Sequence, residues 1–122
     1  MKQSLLLLLA GFESSSGVTQ EFLNFVRTFK REFNKELKSI GATDIMIGRG
    51  HFYVSGFFKS ATGQPYYFSL SDVRGMEYSL RNNPDSCGSQ LMYRTAKDYK
   101  DFTGGGNQWI SFKSGMAKEM NI

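Results

Sequence analysis

The chain has 122 residues, a formal net charge of +4 and a pI of about 9.3. A chain of this length is expected to form one domain, residues 1–122, that folds without a metal or a disulfide. Eleven Phe and six Tyr argue against disorder, and a single Cys with a single His excludes an internal disulfide and a His-rich zinc site. A reducing, cytoplasmic setting and an anionic partner fit best, with nucleic acid the first choice.

The first apolar run, residues 5–10, follows a lysine near the N-terminus. It is shorter than the roughly 20 residues that span a membrane. It is also shorter than the apolar region of a secretory signal, and Phe12 and Glu13 stand where small residues would precede cleavage. We therefore expect a buried first element and no membrane partner.

The segment "TQEFLNFVRTFKREFNKELKSIG", residues 19–41, has apolar residues at the three- and four-residue spacings of one helical face. They are Phe22, Phe25, Val26, Phe29, Phe33, Leu37 and Ile40. Thr19 suits the N-cap, and Gly41 suits the left-handed position just past the end. The pattern predicts a long amphipathic helix over about 19–40.

Beyond this helix the hydrophobic period changes from 3.6 to 2, which is typical of strands. The predicted strands are "DIMIG", "HFYVSGFFK", "YYFSLSDV", "LMYRTA" and "QWISF". The turn "SATGQP" between the second and third predicts a hairpin, with Gly63 at positive φ. Because both alternating sets of "HFYVSGFFK" contain rings, we expect this strand to be covered on both faces.

"LRNNPDSCGSQ", residues 80–90, is predicted to be a surface loop, and the tail "KSGMAKEMNI" to add a helical turn. Together these elements predict an α+β protein. One long amphipathic helix would pack on a meandering antiparallel β-sheet.

The stretch "RTAKDYKDFTGGGNQW", residues 94–109, places cations and rings directly before three glycines. Flexible cations beside stackable rings suit single strands or exposed phosphates, and successive glycines can turn backbone N–H groups toward one anion. The candidate binding residues here are Arg94, Lys97, Tyr99, Lys100, Gly104, Gly105, Gly106 and Asn107. The alternative is a plain hairpin loop, in which Asp98 and Asp101 neutralise the lysines.

Two further groups of residues extend the candidate surface. A secondary basic stripe on the helix, at steps of four, four and three, could follow a phosphate backbone or could be an ordinary solvated face. It consists of Arg27, Arg31, Lys35 and Lys38. Arg49 and His51 stand between glycines near a strand start, where His51 is a phosphate contact, a general base or a structural histidine.

Enzymatic readings have weaker support from the residue pattern. No lysine and Ser/Thr follow the glycines, so nucleotide hydrolysis by a Walker A loop is not expected. A thiol mechanism would pair His51 with Cys87, which lies in a polar loop. A small nuclease would use His51 with Asp98 and Asp101, and this alternative stays open. We expect no cofactor and no bound metal.

The segments "GHFYVSGFF", "YYFSLSDVR" and "LMYRTAKDYKDFTGGGNQW" occur in this order between about residues 41 and 110. In that order they resemble a group of small uncharacterised proteins encoded on phages, plasmids and other mobile elements of Gram-positive bacteria. The resemblance transfers no catalytic residues. It implies a setting in which small proteins often counter host defence, anti-CRISPR proteins among them.

The residues and the resemblance together favour a non-enzymatic binding module acting on a nucleic acid or a nucleoprotein complex, for example a CRISPR effector. The most concrete form of this hypothesis is an anti-CRISPR-like inhibitor. Two alternatives remain: a small nuclease or nucleotide-processing enzyme, and a protein–protein interaction module that uses exposed tyrosines.

Overall fold

The computed structural model describes residues 20–50, 53–70, 90–102, 106–111 and 116–122. Within these ranges a helix is followed by five strands and a short helix. They are α1 (Gln20–Ser39), β1 (Thr43–Arg49), β2 (Val54–Lys59), β3 (Pro65–Leu70), β4 (Gln90–Thr95), β5 (Gln108–Ser111) and α2 (Met116–Glu119). The strands form one sheet in sequence order, and every neighbouring pair is antiparallel. The predicted α+β class and antiparallel sheet are therefore confirmed.

The end of α1 is a two-bond C-cap. Gly41 has a φ of 86°, and its N–H donates to the carbonyl of Lys38. The N–H of Ala42 reaches back to the carbonyl of Leu37. This pair of bonds is the Schellman arrangement, which satisfies carbonyls that the ending helix leaves without partners. The prediction of a left-handed glycine at this position is confirmed.

The main core lies between α1 and one face of the sheet. Phe29 and Phe33 of α1 are fully buried, and both rings pack against Phe68 of β3 at centroid distances of 6.5 and 5.1 Å. Phe58 of β2 also contacts Phe68, at 6.2 Å. Burying aromatic rings of this size contributes the largest hydrophobic share of stability. The helix thereby closes this face of the sheet.

The β2–β3 hairpin turns through residues 60–64. The N–H of Ser60 donates to the carbonyl of Gln64, and the N–H of Gly63 donates back to Ser60. Gly63 has a φ of 87°, as its place in the turn predicted. Since L side chains rarely adopt this conformation, glycine is the residue that the turn requires.

The pairing of β1 with β2 contains an irregularity between Thr43 and Met46. Asp44, inside this interval, has a φ of 52°. A bulge of this kind bends an edge strand and increases its twist. Just beyond this interval Gly56 pairs with Ile47, and a Cβ on Gly56 would collide with the carbonyl oxygen of Met46. This close approach of β1 therefore requires a glycine in β2.

The C-terminal residues are held to the rest of the fold by side-chain hydrogen bonds. The Oε1 atom of Glu36 in α1 accepts the N–H of Ala117 at 3.0 Å. The hydroxyl of Tyr93 donates to Gln108 at 3.0 Å and accepts the N–H of Asn121 at 2.8 Å. Both Ala117 and Tyr93 are buried. The tail thus links α1 to the last two strands.

Several expectations lie outside the described residues: the buried element over residues 5–10, the N-cap at Thr19, and nearly all of the predicted loop over residues 80–90 with Cys87. Gln90, the last residue of that predicted loop, begins β4. The single domain over residues 1–122 stays a prediction. Among the described residues, no helix is both long enough and apolar enough to cross a membrane.

Candidate functional site

The face of the sheet that points away from α1 carries a row of large side chains across four strands. The register pairs Met46 with Phe57, Phe57 with Tyr67, and Tyr67 with Arg94. Directly paired residues point to the same face of an antiparallel sheet. Phe57 is 7% exposed although no helix of the described residues packs on it, because another ring covers it. The expectation that β2 is covered on both faces is met at Phe57 but not along the whole strand, since Ser55 on the same face is half-buried and Lys59 is exposed.

The covering ring is Phe102, which ends the segment we call the 96–102 loop, the residues directly after β4. It meets Phe57 edge-on at 5.3 Å and Tyr67 edge-on at 6.1 Å between centroids. Phe102 itself is 65% exposed. Phe102 therefore covers Phe57 and Tyr67 while most of its own surface stays open to solvent.

Arg94 anchors this loop from below. It is only 2% exposed, and its guanidinium donates to the backbone carbonyls of Asp101 at 2.8 Å and Thr95 at 3.2 Å. Its Nη1 lies 3.8 Å from the carboxylate of Asp101, and its Cζ lies 4.6 Å above the ring centre of Tyr67. A planar, always-charged guanidinium is well suited to hold carbonyls and a ring at once.

The two acidic residues of the loop stabilise its backbone. The Oδ1 atom of Asp98 accepts the N–H of Lys100 at 2.7 Å, a local turn typical of aspartate. The Oδ2 atom of Asp101 accepts the N–H of Lys97 at 3.0 Å. These bonds give the backbone of the loop a defined shape.

The loop forms one wall of a groove of about 540 Å³, which we call the β1–loop groove. Its other lining residues come from the start of β1, from the adjoining ends of β2 and β3, and from Gly63 in the turn between them. The volume lies within the 300–1,000 Å³ that is usual for ligand pockets. The lining residues are Asp44, Ile45, Met46, Phe57, Phe58, Lys59, Gly63, Pro65, Lys97, Asp98 and Tyr99.

Charged groups of both signs stand around this largely apolar lining. Lys59 lies 3.4 Å from the carboxylate of Asp44, and both side chains are exposed. Lys97 and Lys100 are exposed, and within the described ranges neither side chain has an ion pair. Both lysines are therefore available to an anion from solution.

Three large rings on or beside this face are more than half exposed: Tyr99 at 60%, Phe102 at 65% and Trp109 at 57%. Trp109 pairs with Met92, which lies two residues before Arg94 on the same face of β4. Single exposed rings are normal on a monomer surface, whereas a contiguous group of them is typical of an interaction site. They extend from the groove toward β5.

The structure brings together only part of the predicted site. Lys97, Tyr99 and Lys100 lie together on the exposed side of the 96–102 loop. Arg94 was expected to contact a partner, and this is corrected: the guanidinium is buried because it is bonded to the loop backbone. Its role is to position the loop.

The remaining candidates are more scattered. Arg49 is exposed at the far end of β1, five residues from Asp44, or roughly 16 Å along a strand. Gly106 and Asn107 are exposed just before β5. His51, Gly104 and Gly105 lie outside the described residues.

The basic stripe on α1 is a separate surface. All four of its residues are exposed: Arg27, Arg31, Lys35 and Lys38. The Nε atom of Arg31 lies 3.4 Å from the buried carboxylate of Glu32. Since α1 packs on the opposite face of the sheet, the stripe belongs to a different side of the molecule from the 96–102 loop.

Sequence reasoning missed the β1 wall of the groove and the contribution of Phe102. One signal was present, because "GFFK" places rings on both faces of β2 and so requires a second cover. No pattern in the sequence pairs the start of β1 with a loop more than fifty residues later.

Within the described residues, no three His, Cys, Asp or Glu side chains gather into a group that could hold a metal ion. Comparison with known proteins gives no match, whether with family models, curated proteins or solved structures.

Proposed function

We propose that this protein is a non-enzymatic module that binds single-stranded nucleic acid, free or within a nucleoprotein complex. One observation carries the proposal. On the open face of the sheet, the exposed rings of Tyr99 and Phe102 stand on the same short loop as Lys97 and Lys100, which have no ion pairs among the described residues.

The chemistry of single-strand recognition supports this pairing of groups. Unpaired bases stack on aromatic side chains, with roughly 1–3 kcal/mol per base, and the phosphates between them attract lysines. A sheet face with exposed rings is a common platform for such stacking. Trp109 provides a further ring on this face.

The proposal also includes a setting. We propose that the module acts in the cytoplasm, which the resemblance to proteins of mobile elements supports, and that as an anti-CRISPR-like inhibitor it would meet the RNA or displaced DNA strand of an effector complex there. In this view α1 is one long amphipathic helix that supports the sheet from behind. The net charge of +4 favours such an anionic partner.

The double variant Lys97→Ala/Lys100→Ala tests the proposal. We expect it to bind fluorescein-labelled single-stranded DNA and RNA octamers more weakly, whatever their sequence. Loss of two phosphate contacts should reduce the slope of log K against log salt by about 1.4–1.8. Fluorescence anisotropy between 25 and 200 mM salt measures both. Stability should change by less than about 0.5 kcal/mol, because exposed lysines contribute little.

The matched control is Lys35→Ala/Lys38→Ala, which removes the same charge from the stripe on α1. We expect its salt slope to stay at the parent value. A reduced slope in this variant alone would move the binding surface to α1. If the parent protein binds neither octamer at 25 mM salt, the proposal is wrong, and the exposed rings belong to a protein contact.

A further inference from the structure

We infer that the β1–loop groove accepts one unstacked base and selects bases that carry an exocyclic amino group. This inference rests on the proposed function, since it names what the same face recognises. Its starting point is the composition of the groove, where an apolar floor is bordered by two aspartates, Asp44 and Asp98.

The shape and lining of the groove suit a planar ring. Its lining includes Phe57 and Pro65 from β2 and β3, Met46 from β1, and Tyr99 from the 96–102 loop. Because Tyr99 is 60% exposed, its ring is accessible for stacking. A volume of about 540 Å³ leaves room for a base and part of its sugar. The faces of a base are apolar and its edges polar, which matches an apolar floor with charges at the border.

The two aspartates at the edge of the groove supply hydrogen-bond acceptors. Asp98 uses Oδ1 to accept the N–H of Lys100, and its Oδ2 has no hydrogen bond within the described ranges. Asp44 is 69% exposed and pairs with Lys59 through Oδ2. A carboxylate accepts from an amino group such as N4 of cytosine. Thymine and uracil present a carbonyl oxygen at that position, which a carboxylate repels.

The border also supplies cations for the adjoining phosphate. Lys97 lines the groove and has no ion pair among the described residues. Lys97 directly precedes Asp98 in the chain. When the edge of a base is bonded to Asp98, the phosphate of that nucleotide would therefore lie near Lys97. One base and one phosphate therefore meet complementary groups at the same place.

The experiment compares three octamers of equal charge: oligo(dC), oligo(dT) and an abasic strand with the same phosphates. We expect oligo(dC) to bind at least about 5-fold tighter than oligo(dT), since one good base contact discriminates by 1 kcal/mol or more. The abasic strand should bind more weakly than both.

The variant Asp98→Asn makes the test specific to the groove. The amide oxygen of the asparagine still accepts the N–H of Lys100, whereas its amide nitrogen places a hydrogen-bond donor where Asp98 has Oδ2. We expect the preference for oligo(dC) to disappear or to reverse toward oligo(dT). Asp44→Asn is the second variant, and asparagine tolerates the positive φ at that position.

Chemical-shift mapping with dCMP gives a readout that does not depend on the variants. We expect the largest amide shifts at Ile45, Phe57 and Tyr99. Equal affinity for oligo(dC) and oligo(dT), or shifts confined to the stripe on α1, overturns the inference but leaves single-strand binding intact. An abasic strand that binds as tightly as oligo(dC) overturns it too, leaving phosphate contacts only. Absence of binding to all three strands at 25 mM salt removes the proposed function itself.

Discussion

The two faces of the sheet are made from alternate residues of the same strands, yet only one of them is closed. On the α1 side, Phe33 packs on Phe68, which also contacts Phe58, and all three are buried. On the other side, Phe57 lies beside Tyr67 of the same sheet and is covered by Phe102, which is itself 65% exposed. A helix presents a continuous apolar stripe, whereas a short loop presents one side chain. The open face therefore keeps rings and lysines available for a partner, and the closed face stabilises the fold.

The largest expected effect is on the closed face. Phe33→Ala removes a fully buried ring that contacts both Phe29 and Phe68. We expect a loss of about 3–5 kcal/mol in the free energy of unfolding, measured by urea denaturation. A loss below 1 kcal/mol would mean that α1 does not close this face, and the distinction between the two faces would fail.

The next effect tests the close approach of β1 to β2 beside the β1–loop groove. A methyl group at Gly56 would meet the carbonyl oxygen of Met46, and backbone cannot move aside as a flexible side chain can. We expect Gly56→Ala to cost about 3 kcal/mol, the upper part of the usual range for overpacking. The matched control is Gly48→Ala in β1, where the added carbon lies 3.9 Å from the nearest atom, the carbonyl oxygen of Ser55. Equal stability of the two variants in thermal melts would contradict the close approach.

A smaller effect is expected from the anchor of the open face. Arg94→Met leaves two backbone carbonyls and the ring of Tyr67 without the guanidinium. We expect a loss of about 2 kcal/mol. Amide hydrogen exchange over residues 97–102 should also accelerate, since the loop loses its attachment. Arg49→Met is the control, because this arginine is exposed and should contribute less than about 0.5 kcal/mol. Unchanged exchange in the loop of Arg94→Met would show that other contacts hold it.

The smallest stability effect is expected at the ring that covers the open face. Phe102→Ala removes two edge-on ring contacts but little fully buried area. We expect about 1 kcal/mol of destabilisation, against several for Phe33→Ala, together with weaker binding of single-stranded octamers. A cost as large as that of Phe33→Ala would show that the open face is a second core.

Some of this fold was predictable because local chemistry decides it. The left-handed glycines, Gly41 and Gly63, occupy positions where a helix end and a tight turn demand positive φ. The alternation of rings in β2 predicted cover on both sides of the strand, since the side-chain period of a strand is 2. These features depend on a few neighbouring residues, so a single sequence contains the information.

The candidate site was less predictable, because it depends on pairing between distant segments. Lys97, Tyr99 and Lys100 were found from their residue types, but Arg94, in the same motif, turned out to be buried. Whether a charged side chain points outward depends on its strand register and on which carbonyls lie within reach. Neither can be obtained from spacing along one segment.

The sequence by itself determined the α+β class, the antiparallel hairpin, the excess positive charge and the loop that carries the exposed cations. Periodicity, turn chemistry and composition are local properties, and they survive in any arrangement of the elements. Only the tertiary structure decided that Arg94 holds the loop, that Phe102 covers Phe57, and that the bulge at Asp44 faces Tyr99 across a groove. Phe57 and Phe102, like Asp44 and Tyr99, lie about 45–55 positions apart in the chain, and the role of Arg94 depends on its burial. These relations therefore exist only once the strands are paired in register.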